Sequence, residues 1–351
     1  MEKGRKMKGR FICLCTLALL AGDFFGGWIA LPPPAYLALA SAAALLSLLR
    51  PRTVPVLLAF FLLGAASVQV SRMPPARSVS LLEARFAAVK ARVSAQVGGL
   101  VAEPEGQAVL KALAVGDRSA VGRSLKEEYR RSGAMHLLAL SGLHVGIIYK
   151  MICWMLFFMG ASPPLRRIRS FVVLAFLWWF ALMTGLSPSI ARASLMITVY
   201  ELSPIMRSGK DGIRALSVAA LFIVLANPEA PRGIGFQLSF CACLSLFTLF
   251  PFLRGLLDTR SRVLTLVWDS LCVAIACRAA TAPLSYFYFG TFPRYFLVTN
   301  LLAVPVAGSV LYLTAASLLF PDSWALSSYM AGLLSFALKL LNALVRLISG
   351  L

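Results

Sequence analysis

Apolar runs of bilayer length recur along this 351-residue chain, and that recurrence restricts the fold more than any motif does. With 59% of residues hydrophobic and 14% charged, the chain cannot clothe itself as a water-soluble globule. About 20 apolar residues cross a bilayer core as a helix. Runs of that kind fall near residues 11–31, 35–49, 54–70, 134–158, 171–186, 188–205, 212–226, 233–253, 263–283, 295–319 and 324–348. The expected fold class is therefore an all-α polytopic membrane protein of about eleven spans, several of them broken by Pro or Gly.

The opening MEKGRKMKGR followed by FICLCTLALLAG has the look of a signal peptide. The apolar run continues through FFGGWIAL, longer than a usual signal core, so an uncleaved first span is expected. The seven cysteines fall in apolar segments. Cys13/Cys15 and Cys241/Cys243 have C-x-C spacing, but no histidine or acidic cluster accompanies them. They read as small buried hydrophobes, with no metal and no cofactor expected.

Lys/Arg asymmetry in short loops orients a polytopic chain. With the N-terminus inside, the inner segments hold Lys3, Arg5, Lys6, Lys8, Arg10, Arg50, Arg52, Arg166, Arg167, Arg169, Arg207, Lys210, Arg214, Arg254, Arg260 and Arg262. The short outer loops hold only Arg232 and Arg294. An odd span count then leaves the C-terminus outside. Residues 71–133 fall outside and are rich in Lys and Arg, a length at which the charge rule loses force. Within them SLLEARFAAVKARVSAQVGGLV repeats apolar positions at helical spacing. Two readings of this segment stand: a face for solvent or lipid headgroups, or a basic collar that attracts a polyanion. The collar would comprise Arg118, Arg123, Lys126, Arg130 and Arg131.

Several polar residues sit where lipid should refuse them. Arg192 lies in LSPSIARASLM, and Arg278 in VAIACRAATAPLSYF, nine positions after Asp269. A charge at mid-membrane costs roughly 2.5–3.5 kcal/mol on insertion scales, so it faces protein or water. Pro188, Gly185, Pro283, the GIGFQLSF stretch with Gln237, and Pro305 mark broken helices, which lipid tolerates only beside protein or a wet cavity. GAMHLLALSGLHVGIIYK carries the two histidines of the chain. On one continuous helix His136 and His144 would lie about 80° apart and could share a face with Ser141. Gly142 and Gly146 would let a neighbouring helix approach. The competing reading is tight packing, with both rings bonded to nearby backbone. A proton relay lacks an intramembrane acid beside the histidines in sequence. An intramembrane hydrolase using Ser141 has poor attack geometry from one helix turn.

ALAVGDRSAVGRSLKEEYRRSGAMHLLALSGLHVGIIYK, residues 112–150, closely resembles the entry region of the competence domain of the ComEC family, membrane channels for DNA uptake in bacterial transformation. Gly116, Asp117, Arg118, Ser119, His136, Leu137, Ser141, Gly142, His144 and Val145 occupy the family's motif positions. LSPSIARASLM, the Asn227–Pro228 pair (aspartate-proline in most relatives), GFQLSF, ATAPLSYFYFGTF and NLLAVPVAG follow in the family's order. The resemblance covers about residues 105–320 and implies three N-terminal spans over 1–70, a basic extracytoplasmic segment over 71–133 and a channel core over 134–351. It implies a non-enzymatic conduit in the cytoplasmic membrane for single-stranded DNA, with Arg118, Arg123, Lys126, Arg130, Arg131, His136, Ser141, His144, Arg192, Gln237 and Arg278 as path candidates. Relatives insert an oligonucleotide-binding-like domain that residues 71–104 are too short to form, and many add a metallo-β-lactamase-like domain, whereas this sequence runs to Leu351. Two histidines cannot build a zinc nuclease centre, and no GxxxxGK[ST] phosphate loop is present. The implied partners are single-stranded DNA, the bilayer, a separate DNA receptor, a nuclease and a cytoplasmic helicase-like ATPase, with a homo-oligomer as a further assembly. A transporter of another anionic solute or polymer would use the same buried arginines.

Overall fold

The computed structural model describes residues 14–24, 35, 39–43, 53–71, 80–159, 162–204, 211–227, 229–257, 261–290, 295–319 and 325–350, and no strand occurs among them. The expected span 35–49 and both ends of the first span lie largely outside the described residues. The helices are α1 (Leu14–Phe24), α2 (Thr53–Ser71), α3 (Ser80–Gly99), α4 (Pro104–Val115), α5 (Arg123–Arg131), α6 (Met135–Leu138) and α7 (Gly142–Met155). They continue with α8 (Pro163–Met183), α9 (Pro188–Leu202), α10 (Gly212–Ala226), α11 (Ile234–Arg254), α12 (Arg262–Phe289), α13 (Phe296–Leu319) and α14 (Ala325–Ser349). The last four are long and apolar enough to cross a membrane. Helices α1, α7 and α10 and the stretch Val56–Ala65 of α2 are apolar but shorter.

Contacts divide the chain into two compact units, one of residues 1–78 with 195–247, the other of 79–194 with 248–351. In the first, α1 and α2 touch through glycine. A Cβ on Gly22 would lie 1.8 Å from the Phe61 carbonyl oxygen, and one on Gly64 2.1 Å from that of Leu19. Small residues allow this backbone approach where lipid supplies no hydrophobic drive between helices. Leu19, Ala220, Val224 and Phe236 form the buried cluster beside it, and Thr16 Oγ1 donates to the Ser217 carbonyl at 3.1 Å. Asp23, Glu201 and Arg214 are buried here as well.

In the second unit α12, α13 and α14 pack in order, and α4 and α5 lie against α14. Leu334, Leu338, Leu341, Val345 and Ile348 of α14 are all buried. Their alternating spacing of four and three residues is the seam that lets one helix lie along another. The opposite faces keep Phe252, Val263, Leu266, Phe287, Phe336 and Leu347 exposed, as a surface meeting hydrocarbon would. Arg346, near the end of α14, reaches Glu105 and Glu128. The end of the last long helix and the basic segment therefore share one side.

Local stops follow from residue chemistry. Gly116 ends α4 in the left-handed region (φ 73), its N–H bonding to the Ala112 carbonyl at 3.1 Å while the Asp117 N–H reaches that of Lys111 at 3.2 Å. This double closure needs a residue without the Cβ penalty. Gly185 (φ 83) and the strained Leu186 (φ 48) turn the chain just before Pro188 opens α9.

The continuous helix assumed across 134–158 is interrupted in the structure. Gly133 (φ 80) breaks the chain after α5, α6 makes a single turn, Ala139 is extended, and Ser141 begins a new helix. His136 and His144 consequently sit on different helices and share no helix face. The 80° separation assumed a continuity that the backbone bonds of Ser132 and Ser141 interrupt.

Gly116→Ala should destabilise the detergent-solubilised protein by at least about 1 kcal/mol, because its methyl would also meet Leu140 Cδ1 at 2.4 Å. Gly99→Ala, where a Cβ meets nothing within 4 Å, is the control. Equal thermal unfolding temperatures for the two variants would show that the turn tolerates a side chain.

Candidate functional site

Helix α5 carries Arg123, Lys126, Glu127, Glu128, Arg130 and Arg131 within nine residues. Its apolar side is narrow: Leu125 and Tyr129 are buried, and the charges ring the rest. The Tyr129 hydroxyl donates to Asn342 Oδ1 at 2.9 Å, and burial raises the phenol's pKa well above its ordinary value. Asn342 Nδ2 donates to Glu105 Oε1 at 3.2 Å. Arg346 binds both oxygens of Glu105, one at 2.7 Å, and its Nε reaches Glu128 at 3.2 Å. Lys339 stands 3.7 Å from Glu103. One edge of α14 thus gathers Glu103, Glu105 and Glu128, with Arg346 forked on two carboxylates.

The collar cations differ in their partners. Arg130 forks onto Glu127 with both bonds at 2.8 Å, and Arg131 adds a third at 3.0 Å. Those guanidiniums, Arg130 first, pull the Glu127 carboxyl down to about 2. Exposed pairs of this kind are weak and exchange with other anions. Arg118, Arg123 and Lys126 make no ion pair with an acid among the described residues. Asp117 beside them is a clamp: its carboxylate accepts from the Ser119 hydroxyl at 2.6 Å, the Ser119 N–H at 3.1 Å and the Ser94 hydroxyl at 2.8 Å. These bonds, those of Ser119 first, hold its pKa below the ordinary value. The glycine-aspartate turn therefore fastens α3 to the start of the collar.

Directly after α5, the chain is pinned by Thr299 of α13, whose hydroxyl donates to the Ser132 carbonyl. Beside this point His136 donates from Nδ1 to the Gly133 carbonyl at 3.0 Å, and the Asn300 side chain lies within hydrogen-bonding reach of the same ring. The Phe296 ring stands 5.8 Å from the His136 ring and 5.1 Å from the Arg278 guanidinium carbon. Sequence analysis named His136 and Arg278 separately; the fold brings them onto one aromatic. Phe296 went unrecognised there, because an apolar residue at a span start carries no spacing signal, whereas Asn300 lies in the NLLAVPVAG stretch named among the broken spans.

His144 has a different task. Its Nδ1 accepts from the Ser141 N–H at 3.2 Å and lies 3.1 Å from the Ser141 hydroxyl, the reciprocal arrangement that caps a helix start. Asp269, read in sequence beside Arg278, pairs instead with Arg254 at 2.9 Å. That pair lines a cavity of about 660 Å³ with Phe250, Thr265 and Trp268, and none of the path candidates borders it. Arg192 is buried on the first turns of α9, and a Cβ on Gly142 would contact the neighbouring Ala193 at 3.5 Å. In the other unit Gln237 Nε2 donates to the Pro231 carbonyl at 3.0 Å, closing its own loop. Arg232 there bonds Glu229 at 2.6 Å and the Asp23 carbonyl at 3.4 Å. The buried acids Asp23 and Glu201 were legible in the sequence, since each interrupts an apolar run. Among the described residues no cluster of three or more His, Cys, Asp or Glu is placed to hold a metal ion.

His144→Gln keeps an acceptor for the Ser141 N–H, whereas His144→Ala removes it at a cost of about 1 kcal/mol. Thermal unfolding of the solubilised protein should therefore stay near wild type for the first and fall for the second. Equal losses in both would point to imidazole chemistry beyond capping.

Comparison with known proteins now adds to this geometry. Residues 113–351 match the family described as Competence protein. ComE operon protein 3 of Bacillus subtilis (strain 168) is 29% identical over 202 residues, 58% of this chain and 25% of that protein. Competence protein ComA of Neisseria gonorrhoeae is 33% identical over 149 residues, 41% of this chain and 21% of its own length. Recombination protein 2 of Haemophilus influenzae is 25% identical over 241 residues, 64% of this chain and 30% of its own length. The chain thus spans between a fifth and a third of the length of these curated relatives. No solved structure matches it. With more than half of the chain covered by the family match, this helical protein belongs to the competence-protein family.

Proposed function

We propose that this chain is a conduit that passes single-stranded DNA inward across the cytoplasmic membrane during natural transformation. The observation that carries the reading is the sorting of charge on the basic segment. Glu103, Glu105 and Glu128 are drawn onto α14, so that of the acids on α5 only Glu127 stays among Arg118, Arg123, Lys126, Arg130 and Arg131. A polyphosphate brings about one charge per nucleotide, so a surface on which bases outnumber acids collects it at long range. Farther in, a low-dielectric route needs countercharge, which the buried Arg192 and the partly buried Arg278 supply. Sparse contacts suit passage, because a dense basic stripe would hold the strand.

In this reading about eleven spans cross the cytoplasmic membrane with the N-terminus inside, and the basic segment and the C-terminus face outward. The chain itself performs no chemistry. A DNA receptor, a nuclease that leaves one strand and a cytoplasmic helicase-like ATPase that pulls it would be separate proteins, and copies of the chain could assemble together.

The test is transformation of a deletion strain, complemented with wild type or variants, scoring labelled DNA in the periplasm and in the cytoplasm separately. Wild type should restore the cytoplasmic fraction alone. Replacing Arg123, Lys126, Arg130 and Arg131 with Gln, or Arg192 with Leu, should cut that fraction at least tenfold at normal membrane levels. Undiminished cytoplasmic DNA in both variants would remove these residues from the route.

A further inference from the structure

Arg254 is the last residue of α11, and Asp269 stands two turns into α12, so their pair marks one end of two helices long and apolar enough to cross a membrane. At about 1.5 Å per residue, Trp268 lies about 9 Å from the start of α12. That is the depth of a membrane interface, where tryptophan collects. The ion pair leaves both partners unfinished. Arg254 Nε stands 2.9 Å from Asp269 Oδ1, and this one oxygen is buried. What is exposed of the carboxylate is therefore carried by Oδ2, which accepts no hydrogen bond among the described residues. The terminal nitrogens of Arg254 likewise meet no acceptor among them, and 56% of that side chain is exposed. Both groups line the cavity of about 660 Å³ together with Phe250 and Trp268. Small-molecule sites span roughly 300–1,000 Å³. Phe252, Leu256, Val263 and Leu266, interleaved in sequence with the lining residues, are exposed apolar side chains. The wall thus offers a cation and a carboxylate, each with capacity to spare, beside a surface suited to hydrocarbon. An anionic headgroup would face the carboxylate, whereas a zwitterion meets both charges with opposite sign. A primary ammonium also brings N–H donors for Oδ2, which a trimethylated one lacks.

We propose that this cavity binds the headgroup of a phospholipid carrying a phosphate and a primary ammonium, as in phosphatidylethanolamine. The terminal nitrogens of Arg254 take the phosphate, and Asp269 Oδ2 accepts from the ammonium. Phe250 and Trp268 wall the headgroup, and the acyl chains lie along the exposed apolar residues of α11 and α12. The site is separate from the collar and from the buried arginines, and it does not rest on the conduit reading.

The full-length chain, purified in detergent, is titrated with phosphatidylethanolamine, phosphatidylcholine and phosphatidylglycerol of the same acyl chains, and bound lipid is counted by native mass spectrometry. Wild type should take the ethanolamine lipid about tenfold more tightly than the other two, the worth of one hydrogen bond between charged groups. Asp269→Asn should lower that affinity to the level of the choline lipid and leave the choline lipid unchanged. Asp269→Glu should keep the preference. Arg254→Gln, at an exposed helix end, should weaken all three about tenfold. Equal binding of the three lipids by wild type, an unchanged preference in Asp269→Asn, or undiminished binding in Arg254→Gln would overturn the site. Phosphoethanolamine free in solution that competes as well as the lipid itself would overturn the lipid and leave a soluble phosphoamine as the occupant.

Discussion

The Arg346 guanidinium holds the carboxylates of Glu105 and Glu128 at once, at the point where α4, α5 and α14 meet. It joins the neighbouring helices α4 and α5 to α14, more than 200 residues further along the sequence. Around it Asn342 relays the buried Tyr129 hydroxyl to Glu105, so that the polar groups at this helix end are satisfied within the protein. A bidentate fork with neutral hydrogen bonds beside it is the form in which partly desolvated charge becomes favourable. Without it, two acids would face outward among the collar bases and cancel part of their field.

Two kinds of polar residue can now be told apart. Asp117, Ser141 and His144 spend their hydrogen bonds on nearby backbone and side chains, fixing where helices stop and start. The Arg278 guanidinium instead lies over the Phe296 ring of another helix, 5.1 Å from its centre, and Arg118 and Arg123 are exposed. The histidine motif of this chain is bonded largely within its own turn and to its neighbours. Its serine and second histidine cap α7, its first histidine braces an aromatic, and its glycine at position 133 breaks the chain so that both can occur. The break also explains why lipid tolerates extended residues here: the freed carbonyls of Ser132 and Gly133 are taken up by Thr299 and His136.

The amino-acid sequence alone determined the helical class, because apolar runs of bilayer length admit few alternatives, and the long helices α11 to α14 lie where the runs lie. It also determined the presence of a basic amphipathic segment and of arginines in apolar surroundings. The packing of side chains across helices decided the rest. Periodicity reports a residue's position around its own helix and carries no information about a partner 200 residues away. Only tertiary structure could therefore set Arg346 against Glu105, Arg278 against Phe296 and Asp269 against Arg254, or split one expected span into a turn and a new helix. Those pairings exist because charge and unpaired backbone cannot be left unmatched at low dielectric, and the matching groups come from whichever helices the fold brings close.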